Sequence, residues 1–165
     1  MAVLPIVVAP DPRLKKPSEN VEKMDDETKK FIADMIETMY HAEGVGLAAV
    51  QVGVHKKIIT LDVSDNGDSP QVFINAELVK KSEETKSYKE GCLSFPGQYS
   101  DVIRPDTITV RYRNEAWEEC ELEAAGLLAV CLQHEIDHTN GIVFVDHISD
   151  MKRRIILEKL RKKYK

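Results

Sequence analysis

The spacing of hydrophobic and polar positions predicts three helices along the chain. The first begins at Asp25 or Asp26, either of which can cap it, and extends to about Ala42, with Gly44 as a natural stop. A second helix is predicted from about 126 to 140, and a third, basic helix from about 149 to 163. One face of the first helix is expected to be buried, because apolar residues recur there at helical spacing: Phe31, Ile32, Met35, Ile36, Met39 and Tyr40.

Between the first two helices the pattern changes to short runs that are typical of strands. Residues 57–62 and 72–75 are strand candidates, separated by a loop rich in Asp, Asn, Gly and Ser. Residues 107–113 and a run near Cys120 predict a hairpin, and 77–86 is a weaker candidate. Strands between helices without regular βαβ alternation predict an α+β fold.

Length and composition agree with one ordinary domain spanning residues 1–165. Hydrophobic residues make up 42% of the chain and charged residues 31%, as in globular proteins. No apolar run approaches the ~20 residues that cross a bilayer, so no membrane partner is expected. The apolar start is broken by Pro5 and Pro10 and has no basic region before it, which favours an extended segment of a cytoplasmic protein over a signal peptide. Three cysteines indicate free thiols or a metal site rather than a disulfide framework.

The charge of the chain is unevenly distributed. The net charge is -5, yet residues 151–165 carry eight Lys or Arg and one Glu. This basic segment has two interpretations: a contact with a polyanion such as ribosomal RNA, or an ordinary solvated helix face. Nothing in the sequence indicates a DNA-binding role.

The second predicted helix contains a motif with metal-binding spacing. His134 and His138 are four residues apart, so both imidazoles lie on one face and can hold one metal ion, with Glu135 beside them as a general base. Leu127 and Cys131 share the face of His134 and would line the cavity around the metal. The neighbouring face, with Leu128, Leu132 and Ile136, is expected to pack into the core. The alternative is a pair of histidines that are solvated or hydrogen-bonded in the core.

A catalytic site of this kind needs a third protein ligand. The metzincin pattern is excluded, because Phe144 stands where that class has its third histidine. Glu158 would serve in a zinc peptidase of gluzincin type, although it can also pair with basic neighbours in its own helix. Cys92 lies in a turn-rich stretch and would be a strong thiolate ligand, while its other interpretation is a small buried apolar residue.

Three motifs in a fixed order resemble those of the peptide deformylases. They are Gly44–Gln51 (GVGLAAVQ), Glu90–Ser94 (EGCLS) and Gln133–Gly141 (QHEIDHTNG), in which Thr139 replaces the usual leucine. The resemblance extends over the whole chain. It implies mixed or antiparallel sheets around a central HExxH helix, with a C-terminal helix. It also implies removal of the N-formyl group from the formylmethionine of new polypeptides, with release of formate.

The resemblance assigns a role to each motif residue. Cys92, His134 and His138 would hold one divalent metal, with Fe2+ favoured and Zn2+, Ni2+ or Co2+ as substitutes. Glu135 would be the base, and the Gln51 amide and the Leu93 backbone N–H would stabilise the oxyanion. Gly46 is expected to contact the substrate backbone, and an apolar pocket for the methionine side chain is expected from Val45, Tyr88, Leu127, Val130 and Cys131.

Some residues and alternatives remain outside this assignment. Glu90 and Arg104 are hypothesised to form a pair that orients the Cys92 loop. His41, His55, His147 and Tyr99 lie outside the motifs and are given no catalytic role. The first motif alone also fits a helix end followed by a tightly packed turn. Two other functions stay open: the gluzincin-type peptidase that uses Glu158, and a non-catalytic module that binds through the basic helix.

Overall fold

A computed structural model describes residues 2–163. Its three α-helices are α1 (Asp26–His41), α2 (Gly126–Thr139) and α3 (Asp150–Lys163). Short 3-10 helices cover Pro12–Lys15, Ala49–Val52 and Phe144–His147. The strands are β1 (Gly46–Ala48), β2 (Ile58–Leu61), β3 (Gln71–Lys81), β4 (Thr85–Cys92), β5 (Phe95–Pro105), β6 (Thr107–Arg113) and β7 (Glu119–Ala125).

The strands form two separate antiparallel units. Five of them make one sheet in the order β1-β2-β3-β6-β7, and β4 pairs only with β5 as a long hairpin. The predicted α+β class is therefore confirmed, and so are the strands at 57–62 and 72–75 and the hairpin of β6 and β7. The candidate at 77–86 is wrong as a single strand, because β3 ends at Lys81 and β4 begins at Thr85.

The helix boundaries follow from their capping residues. The Asp25 carboxylate accepts a hydrogen bond of 2.8 Å from the Thr28 backbone N–H and so caps α1. Helix α2 ends before Gly141, whose φ of +75° suits glycine. A Cβ at Gly141 would also lie 2.4 Å from the carbonyl oxygen of Lys15, so a larger residue would displace the N-terminal segment. All three helix predictions are confirmed to within one or two residues.

Helix α2 lies at the centre of the molecule. It contacts β1, β2, β3, β6 and β7 of the sheet, and almost every residue from Ala129 to Ile136 is buried. The predicted core residues Leu132 and Ile136 belong to the largest apolar cluster, and Leu128 packs against it while partly buried. A second apolar cluster joins the start of β5 to α3 through Phe95, Phe144 and Leu160. The two histidines of α2 are therefore placed inside the protein. Among the described residues, no helix combines the length and apolar character that crossing a membrane requires.

Candidate metal centre and substrate cleft

The tip of the β4–β5 hairpin meets the C-terminal half of helix α2. Cys92 is the last residue of β4, and Leu93 and Ser94 form the turn that leads into β5. The Sγ atom of Cys92 lies 3.3 Å from Nε2 of His138. Together with His134, these residues offer three ligand atoms that all lie within 4.8 Å of one another. The fold thus brings a thiol next to two imidazoles that follow it by about 40 residues in the sequence.

Glu90 and Arg104 support this group from behind. The Arg104 guanidinium donates from Nε to Oε2 of Glu90 at 2.6 Å and from a terminal nitrogen to Oε1 at 3.0 Å. Oε1 of Glu90 also lies 3.0 Å from Nδ1 of His134. A carboxylate at this position makes Nδ1 the protonated nitrogen of His134 and leaves Nε2 as a lone-pair donor for a metal. The hypothesised Glu90–Arg104 pair exists, and it orients His134 directly.

The surroundings of Glu90, His134 and His138 displace the pKa of each of these groups. Burial favours neutral Glu90, but hydrogen bonds from His134 and Arg104 outweigh this effect and lower its pKa. Burial likewise opposes protonation of His134, yet its hydrogen bonds with Cys92 and Glu90 raise its pKa well above the ordinary value. Burial and repulsion from His134 lower the pKa of His138. A metal ion therefore competes with a proton at this centre, as it does wherever histidine and cysteine are ligands.

Glu135 lies beside the ligands and is almost completely buried. Its side chain is only 4% exposed, and burial raises its pKa to about 7. Among residues 2–163, no group hydrogen-bonds to its buried Oε1 atom. A buried carboxylate oxygen without a partner is unfavourable in a closed protein, so this atom fits a site that receives a further polar group. The donor set of one thiolate and two imidazoles fits a divalent transition metal, and the free oxygen fits the reacting group beside it.

The glycines of the first motif leave space for the side chains of Glu135 and Leu93. A Cβ at Gly46 would lie 2.5 Å from Oε2 of Glu135, and a Cβ at Gly44 would lie 2.7 Å from a methyl group of Leu93. The segment is the short strand β1 followed by a 3-10 helix, not a bare helix end and turn. Small residues are required here because the backbone of β1 is pressed against the site.

Gln51 has an orientation that its own hydrogen bonds fix. The backbone N–H of Ala48 donates to Oε1 of Gln51 at 2.9 Å, so the amide NH2 group must point the other way. That group lies 3.4 Å from Sγ of Cys92 and 3.1 Å from the hydroxyl of Ser94. Gln51 is 1% exposed and therefore presents fixed N–H donors at the edge of the ligand group.

A cleft of about 400 Å³ opens in front of these residues. Gly46, Gln51, Cys92, Leu93, His134 and Glu135 line it, together with the predicted pocket residues Val45, Leu127, Val130 and Cys131. Val45 and Leu127 are 48% and 50% exposed and both line this cleft, so they give it an apolar rim that an incoming side chain can cover. Burial raises the pKa of the Cys131 thiol to about 12, so it acts as an apolar wall.

Tyr88 is a correction to the predicted pocket. It is absent from the residues that line the cleft and lies four residues before Cys92 on β4, roughly 13 Å along an extended strand. Its cross-strand partner is Val102, which belongs to the apolar cluster around Phe95 and Phe144. Tyr99 and Lys89 line the cleft instead, with the lysine ammonium 5.7 Å from the tyrosine ring centre. Only the pairing of β4 with β5 brings Tyr99 here, so periodicity gave no signal for it.

Glu158 is not part of the ligand group that Cys92, His134 and His138 form. It lies on α3, is solvent-exposed, and pairs with Arg161 at 3.3 Å, as its basic neighbours suggested. The three-residue group at the site takes its third member from Cys92. The gluzincin-type alternative is therefore not favoured.

Comparisons with known proteins agree with this geometry. The sequence model of the polypeptide deformylase family matches residues 3–154. The peptide deformylase of Cellvibrio japonicus (strain Ueda107) is 52% identical over 165 residues, covering 100% of this chain and 98% of that protein. The crystal structure of peptide deformylase from Ehrlichia chaffeensis in complex with actinonin superposes with a TM-score of 0.96 and 46% identity, covering 100% of this chain and 99% of that one. A peptide deformylase from Legionella pneumophila gives a TM-score of 0.92 and 43% identity, covering 98% and 95% of the two chains.

Proposed function

The chain belongs to the polypeptide deformylase family, whose members are metal-dependent hydrolases that remove the N-formyl group from new polypeptides, and we propose how its residues divide that reaction. Cys92, His134 and His138 hold the metal. Glu135 is the acid–base residue, and Gln51 and Leu93 stabilise the developing negative charge. The observation that carries this assignment is the convergence of three ligand atoms within 4.8 Å, with Glu135 lining the same cleft.

The reaction is the hydrolysis of an amide. A divalent cation, when bound, lowers the pKa of a water molecule and polarises the formyl carbonyl. Glu135 accepts a proton from the attacking water, whose oxygen forms a bond to the formyl carbon. The carbonyl oxygen gains negative charge, and the Gln51 amide and the Leu93 backbone N–H donate hydrogen bonds to it. The carbon–nitrogen bond then breaks, Glu135 delivers its proton to the amine, and formate and a free N-terminal methionine result.

The cleft also accounts for the identity of the first residue of the substrate. The apolar side chains of Val45, Leu127, Val130 and Cys131 receive the methionine, and the Gly46 backbone holds the peptide in an extended form. We therefore expect a formyl-norleucyl peptide, whose side chain keeps the length and apolarity of methionine, to be hydrolysed at a rate comparable to that of the formylmethionyl peptide. A formyl-aspartyl peptide is expected to lose most of kcat/KM, because its carboxylate would be buried without a partner.

We assign ferrous iron as the native metal, on the strength of the family resemblance. The thiolate and imidazole donors suit iron and zinc alike, so the donor set does not select between them. Anaerobic purification followed by metal analysis is expected to give about one iron per chain, with activity that decays in air. A zinc-loaded, air-stable and fully active preparation would contradict the assignment of iron, and it would leave the deformylase reaction unaffected.

The decisive experiment measures formate release from a short N-formylmethionyl peptide, together with bound metal. The variants are Cys92→Ser and a matched control, Cys120→Ser, which alters a half-buried cysteine on β7 outside the cleft. We expect Cys92→Ser to lose both metal and formate release, and Cys120→Ser to retain both. Full metal content in Cys92→Ser would contradict the ligand assignment. Wild-type protein that binds metal without releasing formate would contradict the proposed reaction.

We also propose that α3 brings the enzyme to the ribosome in the cytoplasm, where formylated chains emerge. The support is the charge of residues 151–165, eight basic residues against one acidic, because clustered lysines and arginines bind phosphate backbones. Co-sedimentation with ribosomes at low salt, lost at high salt and in a variant with Lys159 and Arg161 changed to Gln, is the expected result. Equal sedimentation of the wild type and this variant would contradict it.

A further inference from the structure

A chain of charged side chains connects the metal ligand His134 to the protein surface. His134 contacts Glu90, and Glu90 accepts two hydrogen bonds from Arg104. Arg104 donates from its remaining terminal nitrogen to Oδ2 of Asp137 at 2.8 Å. The same oxygen lies 2.8 Å from Nε2 of His147. Since a carboxylate only accepts, His147 must donate the proton of this last hydrogen bond.

The exposed fraction of the side chains rises along this series of contacts from Glu90 to His147. The side chains of Glu90 and Arg104 are 4% and 5% exposed, that of Asp137 is 20%, and that of His147 is 35%. The outer end opens on a groove of about 220 Å³ lined by Arg104, Asp137 and His147. None of these three residues lines the substrate cleft. His147 therefore reaches the metal centre from a side that the substrate does not use.

His147 is also in a fixed position. It ends the 3-10 helix Phe144–His147, and the ring of Phe144 is stacked on His134 at 6.2 Å between ring centres. Phe144 itself is 1% exposed and packs edge-on against Phe95. The short helix is thereby anchored in the core, so the imidazole of His147 is held where it can restrain Asp137.

We propose that His147 is a positioning residue, which orients the metal ligand His134 through Asp137, Arg104 and Glu90. Apart from Arg104, His147 supplies the only side-chain hydrogen bond to the Asp137 carboxylate among the described residues. Without it, Asp137 can rotate, Arg104 loses a fixed acceptor, and its two bonds to Glu90 loosen. The inference rests on the proposed role of His134 as a ligand.

The test measures how fast zinc leaves the zinc-loaded holoenzyme in excess chelator. His147→Ala is expected to accelerate zinc loss on the order of 5-fold, within the range by which residues along such a network modulate a distant site. His147→Gln keeps an N–H donor close to the position of Nε2 and is expected to restore the rate to within about twofold of wild type. The matched control is His55→Ala, which removes an imidazole hydrogen-bonded to the backbone carbonyl of Arg13, and its rate is expected to match wild type.

Repeating the measurement in a Glu90→Gln variant separates positioning from general destabilisation. Glu90→Gln alone is expected to weaken metal binding about 10- to 100-fold, as loss of a ligand's hydrogen-bond partner commonly does. If His147 acts through Glu90, His147→Ala adds little in the Glu90→Gln background. The same fold-change in both backgrounds, an unaltered rate in His147→Ala, or no rescue by His147→Gln would overturn the inference. Wild-type protein that binds no zinc would overturn the proposed metal site and the inference with it.

Discussion

Replacement of Arg104 by alanine tests whether the site depends on a buried ion pair. The substitution removes three hydrogen bonds, two to Glu90 and one to Asp137, and leaves the buried Glu90 carboxylate with His134 as its remaining side-chain partner. Removing one partner of a buried pair costs about 3–5 kcal/mol of unfolding free energy, because the other charge stays buried without compensation. For a domain of this size each kcal/mol lowers Tm by about 2–4 °C, so a decrease on the order of 10 °C is expected.

The same protein offers a matched control on its surface. Arg111 and Glu121 form a pair at 3.7 Å whose side chains are 47% and 54% exposed. Pairs of this kind contribute about 0–1 kcal/mol, so Arg111→Ala is expected to change Tm by no more than a few degrees. Thermal unfolding followed by circular dichroism, with metal content measured on the same samples, compares the two variants directly.

A double variant identifies the origin of the Arg104 effect. If Arg104→Ala acts by leaving a charge uncompensated, then Glu90→Gln in the Arg104→Ala protein recovers part of the lost Tm. Metal binding stays weak in the double variant, because its neutral amide is a poorer partner for His134 than the carboxylate. An Arg104→Ala protein with wild-type Tm and metal affinity would refute the argument, and so would a double variant less stable than Arg104→Ala.

Three further predictions address the cleft, the metal and the pH dependence of stability. Gly46→Ala places a methyl group against the Glu135 carboxylate and is expected to lower kcat on the order of 100-fold, with metal content unchanged; a kcat within a few-fold of wild type would contradict this. Chelation is expected to lower Tm reversibly, because a metal that binds only the folded protein stabilises it, and Cys92→Ser should show no such shift. Hydrogen bonds from Ser64 and Tyr40 lower the pKa of Asp62 to about 2 in the folded protein, compared with about 4 in the unfolded chain. These hydrogen bonds therefore stabilise the folded protein fully above the unfolded pKa, and their stabilisation is lost as the pH falls towards 2. Asp62→Asn should accordingly lower Tm at pH 7 and much less near pH 2, whereas an equal loss at both pH values would contradict the assignment.

The helices were predictable from the sequence, because their signals are local. Asp25 caps α1, Gly141 ends α2, and apolar residues at helical spacing give α1 one buried face. The i, i+4 placement of His134 and His138 is local too, so their proximity followed from the helix alone. Residues whose neighbours lie within one turn of helix can be located from sequence without knowledge of the tertiary fold.

Strand β5 was not predicted, because its pattern is partly inverted relative to an ordinary amphipathic strand, although Val102 points inward and is 1% exposed. Its outward positions include Tyr99 and Ile103, which are 61% and 69% exposed, while Arg104 points inward and is 5% exposed. An alternating strand normally shows the opposite polarity. The inversion has a physical cause in the site: the inward face of the hairpin must deliver a guanidinium to Glu90 and Asp137, and part of the outward face forms the wall of the cleft.

Contacts between distant parts of the sequence explain why Cys92, a candidate by residue type, could be assigned as the third ligand only by resemblance. Cys92 reaches His138 because the β4–β5 hairpin, which belongs to no larger sheet, is attached to α2 by the Glu90–Arg104–Asp137 contacts. Those contacts join side chains separated by 14 and 33 residues, so no periodic signal specifies them. Charged groups that would be unfavourable in an apolar core therefore serve two purposes here. They fix the hairpin to the helix, and they set the orientation of His134, which is why a change at Arg104 is expected to affect stability and metal binding together.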